Sequence, residues 1–297
     1  MKKIVSMYED RDDAVHPFDS PDYYEWWYLD ASFDNGYSCA LSCFWRTRYE
    51  DIHVPMIIVD IYPPEGERIR GAQGFDYKDC HASPEKCDVT WQDNYLRQEG
   101  DRYNLHLKAG DVAVRLTYRR KVPGWKWTPD GLLKNDASGK QGWTNAVPRA
   151  EVTGDLVING KSMAVKGEGY HDHNWGDVEM SHSFAGWGWG RMFDPLYTFI
   201  YGWFMPERDG DPVIPSLYVA RGSETVFATP AKWRTGSEIS RWSREEIQKA
   251  TAMEAARTRA VMIPYCFSRF VRASRLDARQ TVPMGWPSCT MGRNRYR

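Results

Sequence analysis

Apolar and polar residues alternate with a period of two over most of the first 245 residues. The clearest run is Arg102–Arg120. Tyr103, Leu105 and Leu107 alternate with polar residues, Ala109-Gly110-Asp111 turns the chain, and Val112, Val114, Leu116 and Tyr118 alternate back. That pattern predicts a β-hairpin with one buried face. Asn159-Gly160, between Asp155–Ile158 and Ser162–Val165, predicts a second hairpin. Cys39–Arg46 and Pro55–Tyr62 read as further strands, the latter so apolar that both its faces should be covered. Leu196–Phe204 and Ser216–Ala220 form another expected pair, joined by the Pro/Gly/Asp-rich loop Pro206–Pro215. Helical spacing is confined mainly to Arg244–Ala260, with Ser243 as N-cap and Glu245 and Glu246 in the first turn.

Many short strands separated by turn signals predict an all-β chain of antiparallel barrels or sandwiches with one or two short helices. Lys121–Arg149 is rich in Gly, Pro, Trp and Asn and lacks clean alternation, so residues 121–149 read as a connection between β units at 1–120 and 150–245. Residues 246–297 read as a helix followed by an irregular basic tail. From about Arg257 the alternation stops. Either this is a solvated tail, or the C-terminus has been altered, for instance by a change of reading frame.

The 297 residues carry a net charge of -1, which leaves no electrostatic footprint for nucleic acid. Aromatics make up 14%, including 14 Trp. That supply suits a cavity for a flat or extended apolar ligand, and equally an aromatic-rich β core. None of the six cysteines (Cys39, Cys43, Cys80, Cys87, Cys266 and Cys289) forms a C-x-x-C pair, so free thiols in a reducing, cytoplasmic setting are expected. The N-terminus turns acidic too soon for a signal peptide, and no 18-residue apolar run exists. Any membrane contact would be peripheral.

Candidate chemistry concentrates at Gly167-Glu168-Gly169-Tyr170-His171-Asp172-His173-Asn174-Trp175-Gly176. On a strand, His171 and His173 face one side and Asp172 the other. A metal would need further ligands, and only the uncommitted His182 follows, so a hydrogen-bonded polar cluster is favoured over a metal site. Asp172, Glu168 and Glu25 are carboxylates set in aromatic sequence. Burial raises a carboxyl's pKa and keeps it protonated, which is what protonating an alkene requires. Trp27, Trp175, Trp187 and Trp189 offer π faces to the resulting cation. The bland alternative is that Asp172 caps a turn and pairs with a histidine. There is no G-x-S-x-G, and Gly186-x-Gly188-x-Gly190 lacks the spacing of a dinucleotide loop.

Three motifs together, Glu25-Trp26-Trp27-Tyr28, the central Gly-Tyr-His-Asp-His-Asn-Trp-Gly and Trp187-x-Trp189, resemble the carotenoid 1,2-hydratase (hydroxyneurosporene synthase) and AttH-like group over roughly residues 17–245. The resemblance implies two tandem lipocalin-like β-barrels with an aromatic-lined cavity. It implies a hydrophobic isoprenoid, polyene or lipid ligand, handled by hydration, by cyclisation of the pericyclase kind, or by binding alone. No cofactor is implied. His173 and Trp175 match the hydratase His-x-Trp. The hydratases' Tyr-x-Asp should fall on Leu196–Phe204, where Tyr197 or Tyr201 fills the tyrosine place but Phe199 or Trp203 stands for the aspartate. Asp172 or Glu25 must then supply the proton, or the chain does not hydrate carotenoids. The expected catalytic set is Asp172, His173, Tyr170 and Tyr197. Glu25, Trp26, Trp27, Tyr28, His171, Asn174, Trp175, Trp187, Trp189 and Tyr201 are expected to bind substrate.

Overall fold

The computed structural model describes residues 8–49, 52–206 and 214–228, all within the unit Met1–Met262. The alternating segments are strands: β1 (Tyr24–Phe33), β2 (Ser38–Tyr49), β3 (Ile52–Tyr62), β4 (Ile69–Gly74), β5 (Cys80–Ala82), β6 (Asp88–Trp91), β7 (Asn94–Glu99), β8 (Arg102–Ala109) and β9 (Val112–Arg120). They continue with β10 (Trp125–Lys126), β11 (Leu132–Asp136), β12 (Gly139–Ile158) and β13 (Lys161–Gly176). After one helical turn, Met180–Ser183, come β14 (Phe184–Phe193), β15 (Tyr197–Pro206), β16 (Ile214–Arg221) and β17 (Glu224–Ala228). The only other helical pieces among the described residues are 3-10 turns at Asp10–Asp13 and Tyr77–Asp79.

Strands β1 to β13 form one antiparallel sheet in the order β4-β3-β2-β1-β13-β12-β9-β8-β7-β6-β5, with β10 and β11 added along β12. Strands β14 to β17 form a second sheet in chain order. The large sheet curls until β3 and β4 pack on β8 and β9. Gly71 permits that approach, because a Cβ there would collide with the carbonyl of Ala109. The inner face of the curl carries the core: Trp27, Leu29, Leu41, Ile57, Ile61, Trp91, Leu105, Val114, Leu116 and Val152 are all nearly or fully buried.

The β8–β9 hairpin lies where alternation predicts it. The Asn159-Gly160 turn has both residues at positive φ, +50° and +77°, as a tight two-residue hairpin requires. The segment 121–149 holds β10, β11 and the first half of β12. Strand β12 pairs with β9 and strand β13 with β1, so the Asn159-Gly160 hairpin belongs to the same sheet as the strands of residues 24–120. The expected helix at Arg244–Ala260, the tail, Cys266 and Cys289 lie outside the described residues. Cys39, Cys43, Cys80 and Cys87 are free thiols. No helix among the described residues is long and apolar enough to cross a membrane.

Candidate active site on the two faces of one strand

Pairing of β1 with β13 sets Glu25 opposite Trp175, Trp27 opposite His173, Tyr28 opposite Asp172, Leu29 opposite His171 and Asp30 opposite Tyr170. Side chains alternate, so Glu25, Trp27, His171, His173 and Trp175 share the core face. Tyr28, Asp30, Tyr170, Asp172 and Asn174 share the other, which looks toward the second sheet.

On the core face, the 3-10 turn at the chain start inserts Asp13, which is fully buried. His171 Nε2 lies 2.9 Å from Asp13 Oδ2, and its Nδ1 lies 2.9 Å from the Tyr28 carbonyl. A carbonyl only accepts, so Nδ1 carries a proton. Burial works against the His171 imidazolium, but the charge and hydrogen bond of Asp13 outweigh it and raise its pKa. His173 Nε2 stands 2.8 Å from Glu25 Oε1, and its Nδ1 stands 3.4 Å from Asp13 Oδ1. Here burial wins, and His173 is held below the ordinary histidine value. Glu25 also accepts from the His16 backbone N–H at 2.7 Å and from the Tyr23 hydroxyl. Burial raises its carboxyl, but His16 and His173 outweigh that and keep its pKa low.

Two indoles brace this cluster. Trp27 stacks on His173 (4.4 Å between centroids, 17° between planes) and donates its N–H to the Asp13 carbonyl at 3.0 Å. Trp175 lies between His16, stacked at 3.9 Å and 5°, and Gly142, where a Cβ would collide with the indole. Two sets of side chains bring potential metal-ligating atoms together: Asp13, Cys87 and His171, and His16, Glu25 and His173. In the first set, burial pushes the Cys87 pKa well up, keeping it a thiol rather than the thiolate that binds metal.

On the opposite face, Asp172 is surrounded by neutral donors. Trp143 Nε1 donates to Oδ2 at 2.9 Å, and Asn174 Nδ2 donates to Oδ1 at 2.9 Å. The Tyr170 hydroxyl lies 2.7 Å from Asp172 Oδ2 and 2.7 Å from Asn145 Oδ1. Burial dominates and pushes the Asp172 pKa up to about 6, while the bonds from Trp143 and Tyr170 restrain the rise. Trp189, reaching across from β14, stacks on Tyr170 at 4.8 Å and 19° and sets its edge to Tyr28 at 5.4 Å. Arg191, two residues on, forms a buried pair with Asp30 at 2.6 Å. That pair ties the two sheets together beside Asp172.

The residues expected to form one site thus occupy several surfaces. Asp172, Tyr170, Asn174, Tyr28 and Trp189 come together between the sheets. His171, His173, Glu25, Trp27 and Trp175 come together in the core. Trp26 stacks on Tyr24 at 5.1 Å and stands opposite Asn174 in the β1–β13 register. In β14–β15 pairing, Trp189 faces Gly202 and Arg191 faces Ile200. Tyr197 and Tyr201 therefore sit at the register positions of the opposite face, where Tyr201 lies across Gly190. Trp187 is on the Trp189 face but is 37% exposed. Glu168 is at the surface, paired with Arg149. Sequence reasoning missed Asp13, His16, Trp143, Asn145 and Arg191. Asp13 and His16 stand in a polar run with no alternation to mark a buried position. Trp143 and Asn145 stand in the segment read as a connection.

Curled antiparallel sheets with few helices and a buried polar strand define a lipocalin-like all-β protein. The crystal structure of the AttH-like protein of Nitrosomonas europaea superposes with a TM-score of 0.52 at 18% identity, covering 70% of this chain and 71% of that one. CghA, crystallised with Sch210972, superposes with a TM-score of 0.55 at 13% identity, covering 79% and 71%. At such identities these two matches speak for the fold alone. The family is given by sequence: residues 86–289, more than half the chain, match the family described as Carotenoid hydratase CrtC, and the chain belongs to it. Relatives include the hydroxyneurosporene dehydrogenase of Chlorobaculum tepidum, 27% identical over 63% of this chain and 58% of that one. The acyclic carotenoid 1,2-hydratase of Rubrivivax gelatinosus is 28% identical over 47% of this chain and 37% of that one. The chain therefore spans less than two thirds of the curated relatives it matches.

Proposed function

We propose that this chain hydrates a terminal double bond of an acyclic isoprenoid and that Asp172 delivers the proton. The observation that carries this reading is the hydrogen-bond set of Asp172. One phenol, Tyr170, lies at 2.7 Å from both Asp172 Oδ2 and Asn145 Oδ1. It has one proton and two acceptors. With Asp172 ionised, the phenol donates to the carboxylate. With Asp172 protonated, the carboxyl donates to the phenol oxygen, and the phenol turns to Asn145. The Asp172–Tyr170 hydrogen bond is thus kept in both protonation states, as a residue that gains and loses a proton requires.

The chemistry balances without a redox partner. The Asp172 proton adds to the less substituted alkene carbon, leaving a tertiary cation beside the π faces of Trp189, Tyr170 and Trp143. Water adds to the cation, and its surplus proton returns through Tyr170 to the carboxylate. His173 and Trp175, which occupy the places of the hydratase His-x-Trp, act in this reading by fixing β13, since their rings point into the core. The family supports a hydrophobic isoprenoid as substrate.

The test is incubation of an acyclic carotenoid with the protein in D2O. The reading expects a tertiary alcohol with deuterium on the adjacent carbon, and its loss in Asp172→Asn. Turnover that survives Asp172→Asn but falls with Trp189→Leu would instead support a pericyclase, which acts by holding the substrate in a reactive shape. Binding without turnover would support a carrier.

A further inference from the structure

Several buried side-chain atoms lack a hydrogen-bond partner among the described residues. Those of the core-face cluster still have a charged group nearby. Asp13 Oδ1 lies 3.4 Å from His173 Nδ1, His173 Nε2 lies 2.8 Å from Glu25, and His16 Nδ1 lies 3.5 Å from Glu25. Asn145 differs. Its side chain is fully buried, its Oδ1 is engaged by Tyr170, and its Nδ2 has no partner among the described residues. Turning the amide over does not remove the problem. Nδ2 would then face Tyr170, and Oδ1 would take the unpartnered place. A buried amide end left unpaired costs about 1–3 kcal/mol, so a fold that keeps one has a use for it.

The backbone shows how Asn145 comes to be there. Pairing of β12 with β13 is regular up to Thr144 opposite His173, then resumes with Val147 opposite His171. The two residues between, Asn145 and Ala146, face the single residue Asp172. That is a β-bulge, a device that re-aims a side chain and is common beside active sites. Asn145 instead pairs with Trp125 of the short strand β10. The extra residue turns its amide onto the Tyr170 hydroxyl.

We infer that the free end of the Asn145 amide seats an uncharged oxygen: the water that adds to the cation, and the tertiary hydroxyl it becomes. The inference rests on the proton-delivery reading of Asp172. Asn145 binds the water oxygen, which gives its electron pair to the cationic carbon. The O–H proton released passes to Asp172 through Tyr170, so the carboxyl ends protonated as it began. Asn145 is thereby a binding residue for the hydroxyl through Nδ2, as well as the acceptor of the Tyr170 proton through Oδ1.

Binding tests this without turnover. Myrcene and myrcenol, the alcohol formed by adding water to its terminal isoprenoid double bond, are titrated by tryptophan fluorescence into wild type and Asn145→Leu. The expected result is that the ratio of alcohol Kd to hydrocarbon Kd rises about five- to tenfold in the variant, one neutral hydrogen bond's worth, with the hydrocarbon Kd unchanged. Asn145→Ser serves if the leucine variant melts early, and should raise the ratio by less. An unchanged ratio in a folded variant overturns the inference, as does an equal weakening of both ligands, which marks a merely structural residue. Asp172→Asn separates the two claims: it should abolish deuterated alcohol while leaving the wild-type binding ratio in place. Turnover persisting in Asp172→Asn would sink the proton reading and leave the hydroxyl seat standing on its own.

Discussion

The two faces of β13 hold acids under opposite regimes. On the core face, Glu25 and Asp13 meet histidines, and the Glu25 pKa is lowered despite complete burial. On the other face, Asp172 meets an indole, a phenol and an amide, and its pKa is pushed up to about 6. Glu25 and Asp172 are both buried, and they differ in whether their partners can carry charge; Asp30, ion-paired to Arg191 on the Asp172 face, is still raised by burial. A histidine can share a proton with the acid and offset the cost of ionising it. Neutral donors offset only part of that cost, so the acid keeps its proton to a higher pH. In the proposed mechanism the histidine side holds strands and the indole side exchanges a proton.

Substitutions on the two faces should separate accordingly. The largest effect is expected from Asp172→Asn, which should lower turnover by about 10²–10⁴-fold with the fold retained. Steady-state rates together with a circular dichroism spectrum check it. Asp13→Ala should do the reverse. It strips the acceptor from a buried histidine and should cost about 3 kcal/mol of stability, read by urea denaturation, while turnover per folded molecule changes by no more than a few fold. Equal loss of turnover in the two variants would erase the distinction between the faces.

The pH response sharpens it further. A carboxyl whose folded pKa lies above its unfolded value near 3.8 stabilises most below that value, and the contribution is lost as pH rises through about 6. Relative to wild type, Asp172→Asn should thus gain on the order of 3 kcal/mol of stability at neutral pH and almost none at pH 4. Wild-type turnover should fall as pH rises past 6, because the acid must start protonated. Smallest is the effect of Trp189→Leu. Loss of one π face near the cation should cost about 1–2 kcal/mol of barrier, seen as a five- to thirtyfold lower rate with substrate affinity little changed.

Much of this was legible in advance because it depends on local pattern. Alternation over Arg102–Arg120 fixes a hairpin, since only one face of the pleat can be buried. Adjacent positions on a strand must diverge, so His173 and Asp172 could be assigned to opposite sides. Three other outcomes depend on contacts between residues far apart in the chain. Asp13 reaches His171 across 158 positions, and Arg191 reaches Asp30 across 161. The polar stretch around Asp13 carries no periodic signal that would mark it as buried. The bulge at Asn145 breaks a pairing register, and register belongs to two strands together.

Spacing and short motifs sufficed for the hairpins at Arg102–Arg120 and Asn159-Gly160, the faces of β13 and the family, but not for the strands within 121–149. Tertiary structure alone decided which acid keeps its proton. Asp172 and Glu25 are alike in chemistry and in burial, and the difference between them comes from what the curled sheet and the second sheet bring alongside: histidines in one case, an indole and a phenol in the other.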